Sequence, residues 1–81
     1  MNEIYAILMR EVNKETGQIA VVVCERGTKE FVSEKLQYLK MRSLFNQELS
    51  FYIALQENEK EVIKQLKKKI VKESNLYAKV E

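Results

Sequence analysis

Hydrophobic positions change their period several times along this chain. From Glu3 to Val12, Ile4, Ala6 and Leu8 fall on one side of an extended segment, and Tyr5, Ile7 and Met9 on the other. Both sides are apolar in the middle, the pattern of a strand covered on both faces. Asn13-Lys14-Glu15-Thr16-Gly17 is a polar link with Gly late in the loop, which predicts a hairpin. Gln18–Glu25 carries Ile19, Val21, Val22 and Val23, so a second strand follows, also apolar on both faces.

After Arg26-Gly27 the period becomes helical. Val32, Leu36, Leu39 and Ser43 form one stripe; Phe31, Tyr38 and Phe45, seven apart, form a second with Met41 beside it. Either Thr28 or Ser33 can cap the helix, with Glu30 or Glu34 at the positive end of its dipole, and Lys29–Val32 reads equally as the end of an extended segment. Asn46-Gln47 reads as the exit. Leu49, Phe51, Ile53 and Leu55 then alternate with Ser50, Tyr52, Ala54 and Gln56, which predicts a third strand. Asn58-Glu59-Lys60-Glu61 has the form of a capping box, with Asn where Ser or Thr is usual. A second helix is expected to about Glu73, with Val62, Ile63, Leu66 and Ile70 inward. Beyond Ser74-Asn75, Leu76, Ala78 and Val80 alternate with Tyr77, Lys79 and Glu81, suggesting a short last strand.

The order β-β-α-β-α(-β) predicts a single α+β domain over residues 1–81. Its sheet is expected to be mostly antiparallel, of three or four strands, with two helices packed on one face. A hairpin followed by a crossover helix returns the third strand beside the first, giving spatial order 2-1-3. That leaves Val21-Val22-Val23 on an edge strand with little charge, a pairing liability that either the last strand or another chain would cover.

Composition narrows the chemistry. Eighty-one residues, 46% hydrophobic, make one small domain, and at that size oligomerisation or a partner is plausible. The chain has no His, Asp, Trp or Pro and one Cys, Cys24. Ser-His-Asp and Cys-His catalysis, Cys/His zinc sites, EF-hand loops and intrachain disulfides are therefore excluded. Only Glu can serve as a carboxylate acid or base, no Glu sits in a catalytic motif, and no Gly-rich phosphate loop is present. The expectation is a protein that is not an enzyme and takes no cofactor, metal or small molecule. The absence of an export signal and of a membrane-length apolar run, with a single Cys, predicts a cytoplasmic protein.

Net charge is +2, and the excess lies late: residues 59–81 hold seven Lys against four Glu. Lys60, Lys64, Lys68 and Lys72 are four apart, so they stack along one face of a continuous helix, with Lys67 beside them. That ladder reads as a dock for phosphates or an acidic protein, or as a solvated face in a Lys-rich segment. The stripe Phe31, Tyr38, Met41 and Phe45 reads as a seam for a dimer or partner, or as the side of a helix wedged between the sheet and the second helix. Tyr5, Tyr52 and Tyr77 read as a stacking platform for single-stranded RNA, or as amphipathic packing, with Phe51 expected in the core. Cys24 has no His to activate it and reads as a strand thiol.

Taken together, Phe31-Val32-Ser33-Glu34-Lys35-Leu36 leading into Leu49-Ser50-Phe51-Tyr52-Ile53-Ala54-Leu55 resembles the small ββαβ-type proteins of bacteriophages and mobile elements of low-GC bacteria. The resemblance covers Ile4 to Leu55 in shape and composition and carries over no functional residue. It implies a non-catalytic binder, in some cases an inhibitor of host machinery. The first expectation is thus a cytoplasmic protein-binding module, an inhibitor or adaptor, or a homodimer, using Phe31, Tyr38, Met41 and Phe45, the edge at Val21 and Val23, or both. The alternative is a nucleic-acid binder using the Lys ladder. A third is a structural protein whose own dimer is its sole partner.

Overall fold

In the computed structural model, residues 3–46 and 48–68 are described. They form β1 (Tyr5–Val12), β2 (Ile19–Gly27), α1 (Lys29–Arg42), β3 (Leu49–Leu55) and α2 (Glu59–Leu66), the last entered through a 3₁₀ turn over Gln56–Asn58. The sheet has three strands in the order β2-β1-β3, with β1 antiparallel to both neighbours. The α+β class and the 2-1-3 order are as the sequence predicts. The last strand suggested at 76–81, with Tyr77, lies outside the described residues.

The hairpin is built by its polar loop. Asn13 Oδ1 accepts from the Glu15 and Thr16 amides at 2.9 and 3.1 Å. Gly17, at φ +76°, makes the reversal in a region that L side chains rarely adopt. Thr28, not Ser33, caps α1: its Oγ1 accepts from the Phe31 amide at 3.2 Å. The helix closes at Ser43, which donates through both its amide and hydroxyl to the Leu39 carbonyl.

The two helices do not share a face, which corrects the expected arrangement. Val32 and Leu36 of α1 pack on Ile7, Phe51 and Ile53. Val62 and Leu66 of α2 pack on Leu8, Tyr52 and Ala54. Consecutive strand residues point to opposite faces, so Ile7/Leu8 and Phe51/Tyr52 each feed two separate cores. The domain is thus three layers, with the sheet between helices. The doubly apolar pattern of β1 required cover on both sides. The simple alternation of β3 concealed the same requirement, because Tyr52 and Ala54 are buried as well as Phe51 and Ile53.

Pairing between β1 and β2 slips between Ile7↔Glu25 and Leu8↔Val23, a β-bulge that leaves Cys24 unmatched. Val21 and Val23 share the α2 face with their partners Arg10 and Leu8. Past the bulge the alternation is reversed, so it is Arg26, opposite Ala6, that joins that face. There it forms a two-pronged pair with Glu59 of α2, both contacts at 2.8 Å. At the other end of α2, Arg10 Nε donates to the Leu66 carbonyl at 2.6 Å and its Nη2 to the Lys68 carbonyl at 2.8 Å. Two arginines from neighbouring strands therefore hold α2 at both ends.

One expectation for α2 is corrected. Asn58 sits at the cap position but makes no side-chain capping bond, because the 3₁₀ turn carries the chain into the helix; Glu59 binds Arg26 instead. The helix closes at Leu66 with Lys67 as its C-cap, and Ile70 and Glu73, to which it was expected to run, lie outside the described residues. The ladder tightens at that end, where the Lys68 amide donates to the Gln65 carbonyl three residues back, at 3.2 Å.

Candidate interaction surface

Because α2 lies beneath the sheet, it cannot wedge against the second stripe of α1. The outer flank of α1 is consequently open. Phe31 is 40% exposed, Tyr38 54% and Met41 78%. Just past the helix, Leu44 is 70% and Phe45 92% exposed. Phe45 is not on the helical stripe, as its spacing from Tyr38 suggested. It stands in the turn after Arg42, beside an open depression that also involves Lys14, Arg42 and Glu48.

The flank is not purely apolar. Phe31, Lys35, Tyr38 and Arg42 are spaced by four, three and four, so they lie along one line of the helix. The Lys35 ammonium stands 5.8 Å from the centre of the Phe31 ring, and the Arg42 guanidinium 5.6 Å from that of Tyr38. Arg42 also donates to the Tyr38 hydroxyl at 3.1 Å. Phe31 is seated by Gly27: a Cβ there would come within 2.5 Å of the ring. Lys35, Arg42 and Leu44 were missed at the level of sequence. The signal was present, since each cation follows an aromatic by four, and Leu44-Phe45 is an apolar pair in an otherwise polar turn.

The other sequence-predicted positions fare differently. Val21 and Val23 are half-buried and pack beneath α2. Their side chains serve the core, and β2 offers outward its edge backbone with Ala20, Val22 and Cys24. Lys60 and Lys64 are exposed on α2, one turn apart, but Lys67 is its C-cap and Lys68 lies beyond it. Lys72 lies outside the described residues. Over the described residues the ladder is thus two helical rungs, not a continuous face. Tyr5 faces α1 and Tyr52 is buried against α2, so the two share no platform.

Cys24 is exposed at the bulge. Partial desolvation, and then the neighbouring Glu25 carboxylate, push its thiol above the usual value, away from the thiolate form. The charge-assisted bond from Arg26 holds the Glu59 carboxyl below its ordinary value. Among the described residues no group of three or more His, Cys, Asp or Glu is placed to hold a metal ion. No described helix is long and apolar enough to cross a membrane. Comparison with protein-family models, curated proteins and solved structures returns no match.

Proposed function

We propose that this chain is a non-catalytic protein-binding module of the cytoplasm, an inhibitor or adaptor, whose contact surface is the outer flank of α1 and the turn that follows it. One observation carries the reading. Of the seven large hydrophobic side chains exposed among the described residues, five fall between Phe31 and Phe45. Single exposed apolar residues are ordinary, whereas a group of aromatics and Met on one element is the composition of an interface centre. Covering a fully exposed Phe or Met is worth about 1.5–3 kcal/mol, so a few such side chains supply a useful affinity.

The test is photo-crosslinking from position 45 in the cell the chain comes from, with position 57 as control. The expected result is one defined protein adduct at 45 that survives nuclease. It should be lost in the Tyr38→Ser/Met41→Ser variant, with melting unchanged. Equal adducts at both positions, or none at 45, would remove the reading.

A further inference from the structure

We propose that the α1 flank receives an acidic amphipathic helix, which sets two carboxylates about seven residues apart against Lys35 and Arg42 and lays apolar side chains over Tyr38, Met41 and Phe45. The inference rests on the protein-binding reading and names the chemistry of the partner. Its starting point is the line Phe31, Lys35, Tyr38, Arg42, which alternates ring and cation and contains no acid. Neither Lys35 nor Arg42 has a carboxylate within ion-pair distance among the described residues, where the pair formed is Arg26–Glu59. Both cations instead lie over rings of their own helix, an arrangement that keeps their charge available at an apolar surface. Charge matched at the rim of a hydrophobic contact sets register and excludes wrong partners.

The spacing selects the partner's backbone. Lys35 and Arg42 are two helical turns apart, about 10.5 Å along the axis. A partner helix repeats its face over the same distance. A strand repeats its face every ~6.8 Å, so its same-face side chains fall out of step with both cations.

Charge and apolar exposure also argue against the other occupants. Two α1 flanks paired antiparallel would set the Lys35/Arg42 edge of one copy beside the same edge of the other. Paired in parallel, they would bring Glu34, seven residues before Met41, against Glu34 of the second copy. A nucleic-acid strand offers no apolar side chain to cover Met41 and Leu44, which are 78% and 70% exposed.

The experiment uses two synthetic helical peptides as probes, identical in a Leu/Ala apolar stripe and carrying either Glu or Lys at two positions seven apart. Binding to the full chain is read by fluorescence anisotropy at low and moderate salt. The Glu peptide is expected to bind at least tenfold tighter than the Lys peptide, and less tightly as salt rises. The Lys35→Glu/Arg42→Glu variant should reverse that preference, and Phe45→Ser should weaken both peptides without altering far-UV circular dichroism. Equal binding of the two peptides, or binding of neither, overturns the inference. So does displacement of the Glu peptide by a single-stranded oligonucleotide, or a wild-type dimer in ultracentrifugation that Tyr38→Ser dissolves. If the peptides fail while the adduct at position 45 persists, the protein-binding reading stands without the acidic partner. If both fail, that reading goes too.

Discussion

Gly27 and Phe31 show how one missing atom shapes the surface. Gly27 has no positive φ, so its value lies in the absence of a Cβ where the ring sits. Gly27→Ala is expected to push the ring off the strand end and cost about 1–3 kcal/mol, as overpacking does. The same change in a Phe31→Ala background should cost much less, which a double-mutant cycle by urea denaturation checks. The Arg26–Glu59 pair gives a residue-scale pH effect. Glu59's folded pKa is depressed, first by its bond from Arg26, against an ordinary value of 4.5. The contribution to stability is therefore complete above that value and is lost as pH falls through the folded one. Arg26→Ala should lower the denaturation midpoint at pH 7, and its midpoint should fall less steeply than wild type between pH 5 and the acid limb. Equal slopes in the two proteins would mean the pair is not formed in solution. None of this was legible in the sequence, because residues 26 and 59 meet only through the bulge that turns Arg26 toward α2.

At the scale of elements, periodicity served well where packing is one-sided and poorly where ends are decided by distant groups. The start of α1 was open between Thr28 and Ser33, and the Thr28 hydroxyl on the Phe31 amide decided it. At the end of α2, Arg10, more than fifty residues earlier in sequence, donates to the Leu66 and Lys68 carbonyls. A helix of eight residues has little stability of its own. Arg10→Met should therefore destabilise the protein by about 1.5–3 kcal/mol, the range for charge-assisted hydrogen bonds. It should raise amide exchange in Val62–Leu66 more than in α1. A uniform rise across both helices would contradict the clamp. Of the Lys ladder, the described residues place Lys60 and Lys64 on α2 and Lys67 and Lys68 just past it, and Lys72 lies outside them.

For the whole molecule, the decisive feature is that one central strand feeds two cores. Ile7 and Leu8 are neighbours in sequence and both fully buried, yet each belongs to a different cluster. Ile7→Ala and Leu8→Ala should each cost about 2–5 kcal/mol, a large share of a small domain's stability. Because β1 is common to both cores, unfolding should be one transition. Tryptophan reporters at Phe51→Trp on the α1 side and Tyr52→Trp on the α2 side should each melt in coincidence with their own far-UV circular dichroism. A reporter that melts early would mean the two layers come apart separately.

The sequence by itself determined the element order, the class, the 2-1-3 sheet and the apolar content of both faces of β1. These follow from local periodicity and from the geometry of a hairpin followed by a crossover. Only the tertiary structure decided on which face each helix lies. A helix leaving β3 through a short turn can fold to either side, and the side is chosen by the uncovered surface of Leu8, Tyr52 and Ala54. That choice also made the surface. With α2 drawn to the opposite face, nothing among the described residues covers Met41 and Phe45, two positions that spacing alone left open between core and seam.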